Sequence, residues 1–270
     1  MNAPSFSVII CSINPWKFAS CARHYEALLA GFPYEIIGIH DAASLAEGYN
    51  RGMARAAGDI FIFSHDDLLI LDDHFATKIS ERLRDYDILG FAGTSRLTPG
   101  SWLASGQPCL RGVMAHTSRQ RLGLALYGVD EWPVAGGIEA IDGLLMIAQR
   151  QAALAVGFDA ATFDGFHCYD LDFSFAAHLS GRKIGVVCDM PIIHSSGGDF
   201  TGDSWRRYTR LFQQKYAGKL AIAPANIPMK DKLMIINLSD YRVLAEVWNR
   251  DSLRRATIAL RRRAALAAAS

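Results

Sequence analysis

The stretch GDIFIFSHDDLLILDD, from Gly58 to Asp73, sets the pattern from which the fold of this chain is predicted. An apolar run at 60–63 ends abruptly in the polar group SHDD at 64–67, and a second short apolar run follows before two more acids. A compact apolar run bounded by polar residues is typical of a buried β-strand. The acids therefore come directly after a predicted strand.

Two more strands of the same type precede this stretch, and a predicted helix lies in each interval. SFSVIICS (5–12) and YEIIGIHD (34–41) are β-branched apolar runs, and residues 17–29 have helical spacing. A second helix is predicted after Ser44, because Ser44 and Glu47 form a capping-box pattern. Alternating strands and helices predict an α/β fold with a Rossmann-like, mostly parallel sheet flanked by helices.

The polar ends of these strands are expected to meet at one edge of the sheet. Ligands of open parallel sheets gather at the carboxyl ends of the strands. Asp41 ends the second predicted strand, and His65, Asp66 and Asp67 end the third. The sequence therefore predicts a ligand site at this edge.

The rest of the chain divides into three parts. Residues 94–139 are rich in Gly, Ser, Pro and Arg and are predicted as long loops. Residues 141–198 are predicted as a strand, two helices, a further strand and a glycine-rich loop, with the second helix ending at Gly181. We predict one domain over 1–199, in halves of about 1–95 and 96–199, and a helical C-terminal extension over 200–270.

Composition narrows the classes of function. The 270 residues carry a formal net charge of +1, which argues against nucleic acid as a partner. The five cysteines form no CxxC pair, as expected for reduced thiols in a cytoplasmic protein without structural zinc. A run of about 18 apolar residues, the length of a membrane span, is missing from the sequence, so we expect a soluble protein.

The acids after the third strand have two interpretations from the residues alone. Carboxylates beside a histidine can bind a divalent ion such as Mn²⁺ or Mg²⁺, which is the usual partner of a diphosphate. Two adjacent acids after a strand are, however, more often a solvated turn. The pattern by itself leaves both open.

The pattern SVIICS…EIIGIHD…AEGYNRGMARAAGDIFIFSHDD resembles the nucleotide-sugar-binding half of bacterial family 2 glycosyltransferases, which have the GT-A fold. The third strand of that family commonly ends in an Asp-x-Asp motif whose last acid helps to bind a divalent metal and the sugar-nucleotide diphosphate. On this motif His65 takes the first acidic place, Asp66 the middle and Asp67 the last. The resemblance implies a metal ligand at Asp67 and donor contacts at His65 and Asp66, with histidine departing from the family pattern.

The same resemblance implies four more donor contacts. Cys11 and Ser12 end the first predicted strand, and Asp41 matches the family's acid after the second strand, although a solvated turn acid is the alternative. Asn50 lies inside a predicted helix, where asparagine is a poor helix former, which indicates a hydrogen-bonding role.

The second half of the chain resembles the acceptor side of the family. Asp142 and Gly143 match its Asp-Gly position near the acceptor, although an Asp-Gly pair can equally shape a turn. The family's Glu-Asp pair is replaced here by Tyr169 and Asp170, so that the first acid is missing while the catalytic base matches Asp170.

Helix geometry supports Asp170 over its neighbour. Asp172 is two residues further on, about 200° around the helix, so only one of the two can face a given cleft. The free N–H groups and the dipole at the helix start are expected to favour the ionised form of Asp170. The alternative is that Asp170 only caps the helix.

Two features follow the last predicted strand. His194 is either a structural residue or a ligand of the metal or diphosphate, since imidazole can bind metal. Gly197 and Gly198 form either a loop that closes over the donor or an ordinary turn.

The C-terminal segment is basic and amphipathic. Such a helix lies on an anionic membrane face or packs on its own domain or on a second subunit. Its arginines are Arg254, Arg255, Arg261, Arg262 and Arg263.

The resemblance implies an inverting, hexosyltransferase-like enzyme of bacterial glycan or glycoconjugate synthesis. Residues 1–95 would bind the nucleotide-diphosphate sugar and 96–199 a saccharide or lipid-linked acceptor, in the cytoplasm or at the inner face of the membrane. One alternative is a metal-dependent hydrolase that activates water with His65, Asp66, Asp67 and His194. Another is a nonenzymatic nucleotide-sugar-binding protein, suggested by the missing first acids of both motifs.

Overall fold

The computed structural model describes residues 3–118, 121–195, 202–223 and 228–269. The strands are β1 (Phe6–Cys11), β2 (Tyr34–Ile39), β3 (Ile60–Ser64), β4 (Leu68–Ile70), β5 (Ile88–Gly90), β6 (Ala92–Thr94), β7 (Leu110–Ser118), β8 (Arg121–Gly128), β9 (Val134–Ala135), β10 (Ala140–Ile141), β11 (Leu145–Gln149), β12 (Ile184–Val187), β13 (Ile192–His194) and β14 (Met234–Leu238). The helices are α1 (Pro15–Leu28), α2 (Leu45–Arg55), α3 (Phe75–Arg82), α4 (Arg150–Val156), α5 (Tyr169–Leu179), α6 (Asp203–Lys215), α7 (Met229–Lys232), α8 (Tyr241–Val247) and α9 (Arg250–Ala269), with a 3-10 helix at Trp102–Ser105.

The first sheet has the strand order β2-β1-β3-β11-β5-β12-β9. Strand β1 pairs in parallel with β2 and β3, as predicted, whereas β11 runs antiparallel between β3 and β5. The crossover from β1 to β2 and the crossover from β2 to β3 run in opposite directions across the sheet, so right-handed connections place α1 and α2 on opposite faces. The central strands β3 and β12 are buried along their whole length, which explains their continuous apolar sequence.

The second sheet corrects one expectation from the sequence. Residues 94–139, predicted as long loops, contain the antiparallel pair β7 and β8, and β7 joins the order β10-β6-β7-β13-β4. Glycines and arginines interrupt the apolar alternation of these strands. At Gly112, where φ is +109°, a Cβ would lie 2.3 Å from the carbonyl oxygen of Phe91, so glycine permits the close approach of β6.

Local signals at two helices are confirmed. The Ser44 side chain accepts a hydrogen bond from the Glu47 N–H at 3.0 Å and caps α2. Helix α5 ends at Leu179, and Gly181 follows with φ of +81°. Within the described residues, none of the helices combines the length and apolar character needed to cross a membrane.

The described C-terminal part contains helices, as predicted, and also the strand β14, which pairs with β8. Helix α9 packs on β8, and its residues Leu253 and Leu260 are both almost fully buried. The predicted boundary at 199/200 lies outside the described residues and stays a prediction.

Candidate active site

Strand pairing brings three possible metal ligands together at the edge of the sheets. Strand β4, directly after the HDD group, pairs antiparallel with β13 and places His194 opposite Leu68. The His194 Nε2 atom lies 3.3 Å from Asp67 Oδ1. One ligand atom each of His65, Asp67 and His194 lie within 4.8 Å of one another.

The chemistry of this cluster fits a divalent metal. Imidazole nitrogens and carboxylate oxygens bind first-row divalent ions at about 2.0–2.2 Å, so ligand atoms around one ion lie about 3–4.5 Å apart. Burial and then the neighbouring His194 lower the pKa of His65, which keeps its imidazole in the neutral form that binds metal. The structure therefore adds His65, predicted as a donor contact, to the two predicted metal ligands Asp67 and His194.

His65 also contacts the start of α5. Its Nε2 atom lies 2.9 Å from the Tyr169 hydroxyl oxygen, and the Tyr169 hydroxyl donates to the Gly143 carbonyl at 3.3 Å. The His65 backbone N–H donates to the Leu144 carbonyl at 3.0 Å. Tyr169, which replaces the first acid of the Glu-Asp pair, thus contacts His65, which replaces the first acid of the Asp-x-Asp motif.

The Asp142–Gly143 turn lies next to both the cluster and α5. Strand β11 follows the turn and pairs with β3, which brings Leu145 opposite Ser64, next to His65, while the Gly143 N–H contacts Asp170 in α5. Asp142 accepts hydrogen bonds from the Leu144 N–H and from Trp102 Nε1, both at 3.0 Å. A Cβ at Gly143 would lie 2.3 Å from the Tyr169 hydroxyl oxygen and 2.7 Å from Asp170 Cβ. Only glycine lets the helix start approach the turn this closely.

Asp170 is partly buried in the first turn of α5, where the Gly143 N–H donates to its Oδ2 at 2.9 Å. Burial, and then the charge of Asp142, raise the pKa of Asp170 to about 7. The backbone N–H groups at the helix start lower the pKa of Asp170, as expected, but burial and the charge of Asp142 outweigh them. Cys168 occupies the N-cap position, but the Asp170 carboxylate also interacts with backbone N–H groups at the helix start, so its role as base stays a prediction. A pKa near neutrality suits a general base.

Asp172 faces elsewhere, as the helix geometry predicted. It is buried, accepts a hydrogen bond from the Tyr216 hydroxyl at 2.7 Å and lies 2.6 Å from Lys215 Nζ. These two contacts of Asp172 join α5 to α6, whereas Asp170 lines a cavity.

Two adjoining cavities contain the predicted site residues. Asp170 and Asp142 line a cavity of about 280 Å³, and Asp66 and Asp67 line a second of about 350 Å³. Both cavities are lined by His65 and Phe166. Asp67 and Asp170 therefore open into neighbouring spaces that share a wall, and not onto opposite sides of the molecule.

The second cavity contains most of the predicted donor contacts. Cys11 and Ser12 line it, and the Ser12 hydroxyl donates to Asp66 Oδ2 at 2.5 Å. The Lys17 ammonium group lies 3.9 Å from Asp66 Oδ1. Burial raises the pKa of Cys11 to about 12, so its side chain remains a neutral thiol.

Two predicted donor residues are not among the described residues that line the two cavities. Asp41 is exposed and pairs with Arg51. Asn50 donates to the Phe158 carbonyl at 2.7 Å and accepts from the Phe158 N–H at 3.1 Å, so both amide atoms hold the segment that leads to α5. Gly197 and Gly198 lie outside the described residues.

Sequence reasoning missed several residues that line the two cavities. Lys17 follows the first strand, where a basic residue next to a predicted ligand edge was an available signal. Trp102 and His116 lie in the region predicted as loops, and His116 reaches the cavity only because β7 pairs with β13. The remaining missed aromatic residues of the first cavity include Phe166 and Trp205.

A model of a glycosyltransferase-like family matches residues 7–216, from β1 to the end of α6. The chain belongs to this family. The enzyme is thus a glycosyltransferase, as the resemblance of its motifs implied. No match was found among curated proteins.

Solved structures show the fold of this glycosyltransferase. The mannosyltransferase PcManGT from Pyrobaculum calidifontis, in complex with GDP-Man and Mn²⁺, aligns with a TM-score of 0.50 at 13% identity, over 99% of this chain and 74% of that one. S. aureus TarS 1-349 with UDP aligns at 0.49 and 12% identity, over 80% and 67%. GalNAc-T7 with UDP, GalNAc and Mn²⁺ aligns at 0.49 and 10% identity over 78% of this chain, which spans about half (48%) of that one. The first alignment confirms the predicted GT-A-type fold class.

Proposed function

We propose that this glycosyltransferase moves a sugar from a nucleotide-diphosphate sugar to a hydroxyl group of a saccharide or lipid-linked acceptor, with inversion at the anomeric carbon. The observation that carries the proposal is the pair of adjoining cavities that share His65: Asp67 lines one, and His194 and Asp170 line the other. The family match and the nucleotide-sugar complex of PcManGT support the donor class.

On the donor side, the chain supplies both charge and hydrogen bonds to a diphosphate. His65, Asp67 and His194 are the residues that would hold Mn²⁺ or Mg²⁺, and such an ion would neutralise charge on the departing diphosphate. Lys17 adds a positive charge at the same cavity, and Ser12 orients Asp66 through its hydrogen bond. These groups would stabilise the nucleoside diphosphate as it leaves, when the bond between the anomeric carbon and the phosphate oxygen breaks.

On the acceptor side, the Asp170 carboxylate takes the proton of the attacking hydroxyl group. The Gly143 N–H holds one oxygen of this carboxylate, so its position relative to the shared wall is determined by the backbone. Trp102 and Phe166 bring apolar surface to the cavity, which suits the face of a sugar ring and excludes water. Direct attack by the acceptor inverts the anomeric centre, and this scheme requires no covalent nucleophile.

The test combines donor binding with transfer. Thermal unfolding with UDP-GlcNAc, UDP-glucose and GDP-mannose, with and without Mn²⁺, identifies a donor by an increase in Tm. We expect Asp170→Asn to keep this increase and to lose sugar transfer to an acceptor library. Metal-dependent release of free sugar at the same rate with and without acceptor would indicate the hydrolase instead. Donor binding without turnover in either protein would indicate a binding protein.

We further propose a cytoplasmic enzyme of bacterial glycan or glycoconjugate synthesis. Its five cysteines are free thiols, in line with a reducing compartment. One face of α9 packs on the domain, and Arg261 and Arg263 pair with Asp130 and Asp231. Contact with a membrane or a second subunit would therefore use the opposite face, which exposes Arg254, Arg255, Arg262, Ile258 and Leu266.

A further inference from the structure

The two departures from the family motifs are in direct contact. His65 stands where the Asp-x-Asp motif has its first acid, and Tyr169 stands where the Glu-Asp pair has its glutamate. The two residues are 104 positions apart in sequence, yet His65 Nε2 and the Tyr169 hydroxyl oxygen are separated by 2.9 Å. Transfer as proposed above uses the carboxylate of Asp170 and assigns no role to this contact.

The surrounding hydrogen bonds indicate which partner donates. A tyrosine hydroxyl has a single proton, and that of Tyr169 points to the Gly143 carbonyl at 3.3 Å. The Tyr169 oxygen therefore accepts from His65 Nε2–H. A neutral imidazole protonated at Nε2 carries its free lone pair on Nδ1, the nitrogen that remains available to a metal.

We propose that Tyr169 is a positioning residue that holds His65 in this tautomer, so that the metal centre has two imidazoles and one carboxylate and selects transition metals over Mg²⁺. Mg²⁺ prefers an all-oxygen shell, whereas imidazole ligands favour later ions of the first row, so Co²⁺ binds more tightly than Mn²⁺. The metal's role rests on the proposed function, but its selectivity depends only on the ligands.

Rigid packing makes the Tyr169 contact suitable for this role. Tyr169 is buried, and its ring packs 5.9 Å from the ring of Tyr49 in an aromatic cluster that also contains Phe158. Its hydroxyl cannot move away without losing its bond to the Gly143 carbonyl. Since Tyr169 immediately precedes Asp170, the same helix turn positions a metal ligand and the proposed base.

Metal binding tests the inference without any donor or acceptor. The full chain is titrated with Mn²⁺ alone and free Mn²⁺ is measured by electron paramagnetic resonance, with Mg²⁺ and Co²⁺ as competitors. We expect affinity to increase in the order Mg²⁺, Mn²⁺, Co²⁺. Tyr169→Phe should weaken Mn²⁺ binding by about 10- to 100-fold, the usual effect of removing a residue that orients a ligand.

Tyr49→Phe is the matched control. Its hydroxyl is buried in the same cluster but has no hydrogen-bond partner among the described residues, so its loss should leave Mn²⁺ affinity unchanged. His65→Asp restores the acid of the family motif and should lower the ratio of Mn²⁺ to Mg²⁺ affinity by about tenfold or more.

A spectroscopic measurement remains decisive even if Tyr169→Phe fails to fold. Nitrogen-15 spectra of the histidine rings in the metal-free protein should show His65 protonated at Nε2. Protonation at Nδ1, equal affinity for Mg²⁺ and Mn²⁺, or equal Mn²⁺ affinity in the two Tyr→Phe variants would overturn the inference. Each of these results leaves the transfer test untouched, and failure of sugar transfer leaves the metal titrations standing.

Discussion

Replacement of Asp170 by asparagine is expected to abolish transfer and to stabilise the fold at the same time. Asparagine has nearly the same shape and can still accept the hydrogen bond of the Gly143 N–H, but it carries no charge. The wild-type enzyme instead buries a carboxylate close to Asp142. The variant therefore separates the catalytic value of the charge from its energetic cost.

The size of this cost follows from the pKa of Asp170, which is raised from 3.8 to about 7. Below pH 3.8 Asp170 is protonated in both the folded and the unfolded protein, so it does not lower the free energy of unfolding. Between pH 3.8 and about 7 this destabilisation grows, and above about pH 7 it is complete. A pKa raised by about three corresponds to about 4 kcal/mol of the free energy of unfolding. We expect Asp170→Asn to be more stable than the wild type by about 2 kcal/mol at pH 5 and about 4 kcal/mol at pH 8. At about 2 °C per kcal/mol, Tm rises by about 4 °C and about 8 °C.

Activity should change with pH in the opposite direction. A base with a pKa of about 7 is about one tenth ionised at pH 6 and about nine tenths at pH 8, so kcat/KM of the wild type should rise about tenfold across this range. An unperturbed aspartate would show no such change. Loss of the base should lower the rate of Asp170→Asn by about 10²- to 10⁴-fold.

The assays are thermal unfolding at pH 5 and pH 8 and sugar transfer between pH 6 and pH 8. Asp251→Asn, at an exposed position of α9, is the control and should change neither measurement. If Asp170→Asn is no more stable than the wild type at pH 8, or if wild-type kcat/KM is flat from pH 6 to pH 8, the argument from burial is refuted.

Three further changes test the packing around the site. Gly143→Ala adds a methyl group 2.3 Å from the Tyr169 hydroxyl oxygen, so it should lower the free energy of unfolding in urea by about 1–3 kcal/mol and remove most of the transfer activity. In the control Gly123→Ala the nearest atom is 3.5 Å from the new methyl group, so stability and activity should be unchanged. Equal losses in the two variants would contradict this. Lys215→Ala leaves the buried Asp172 carboxylate with its Tyr216 hydrogen bond but without its cation, and should cost about 3 kcal/mol in urea unfolding; an unchanged midpoint would show that the ion pair adds nothing. Leu260→Ala should lower the free energy of unfolding by about 2–4 kcal/mol, since Leu260 is fully buried. Leu266 is 74% exposed, so Leu266→Ala should leave stability unchanged but weaken flotation with phosphatidylserine vesicles. Unaltered flotation would count against membrane contact.

Much of the first half of the fold could be predicted from local sequence. The apolar runs ending at Cys11 and Ser64 are strands β1 and β3, and the Ser44 cap begins α2. These signals depend on residues a few positions apart, so they are visible without knowledge of packing. The family resemblance added the predicted roles of Asp67 and Asp170, whose cavities the structure shows to be adjacent.

Other features could not be predicted because they depend on distant neighbours. The hairpin of β7 and β8 has no clear alternation, since its residues are buried between strands and under α9. The hydrogen bonds of Asn50 go to the backbone of Phe158, a partner 108 positions away. The pKa of Asp170 depends on burial and on Asp142, which local helix geometry does not include.

The sequence by itself determined the strands and helices near the site and the polar residues that follow the carboxyl ends of those strands. It could do so because periodicity and capping act within a few residues. Only the tertiary structure decided that His65 meets His194 and Tyr169, since these contacts require β4 to pair with β13 and α5 to pack on Gly143. Burial and electrostatic coupling depend on the distances between side chains that are remote along the chain, and chain folding sets those distances.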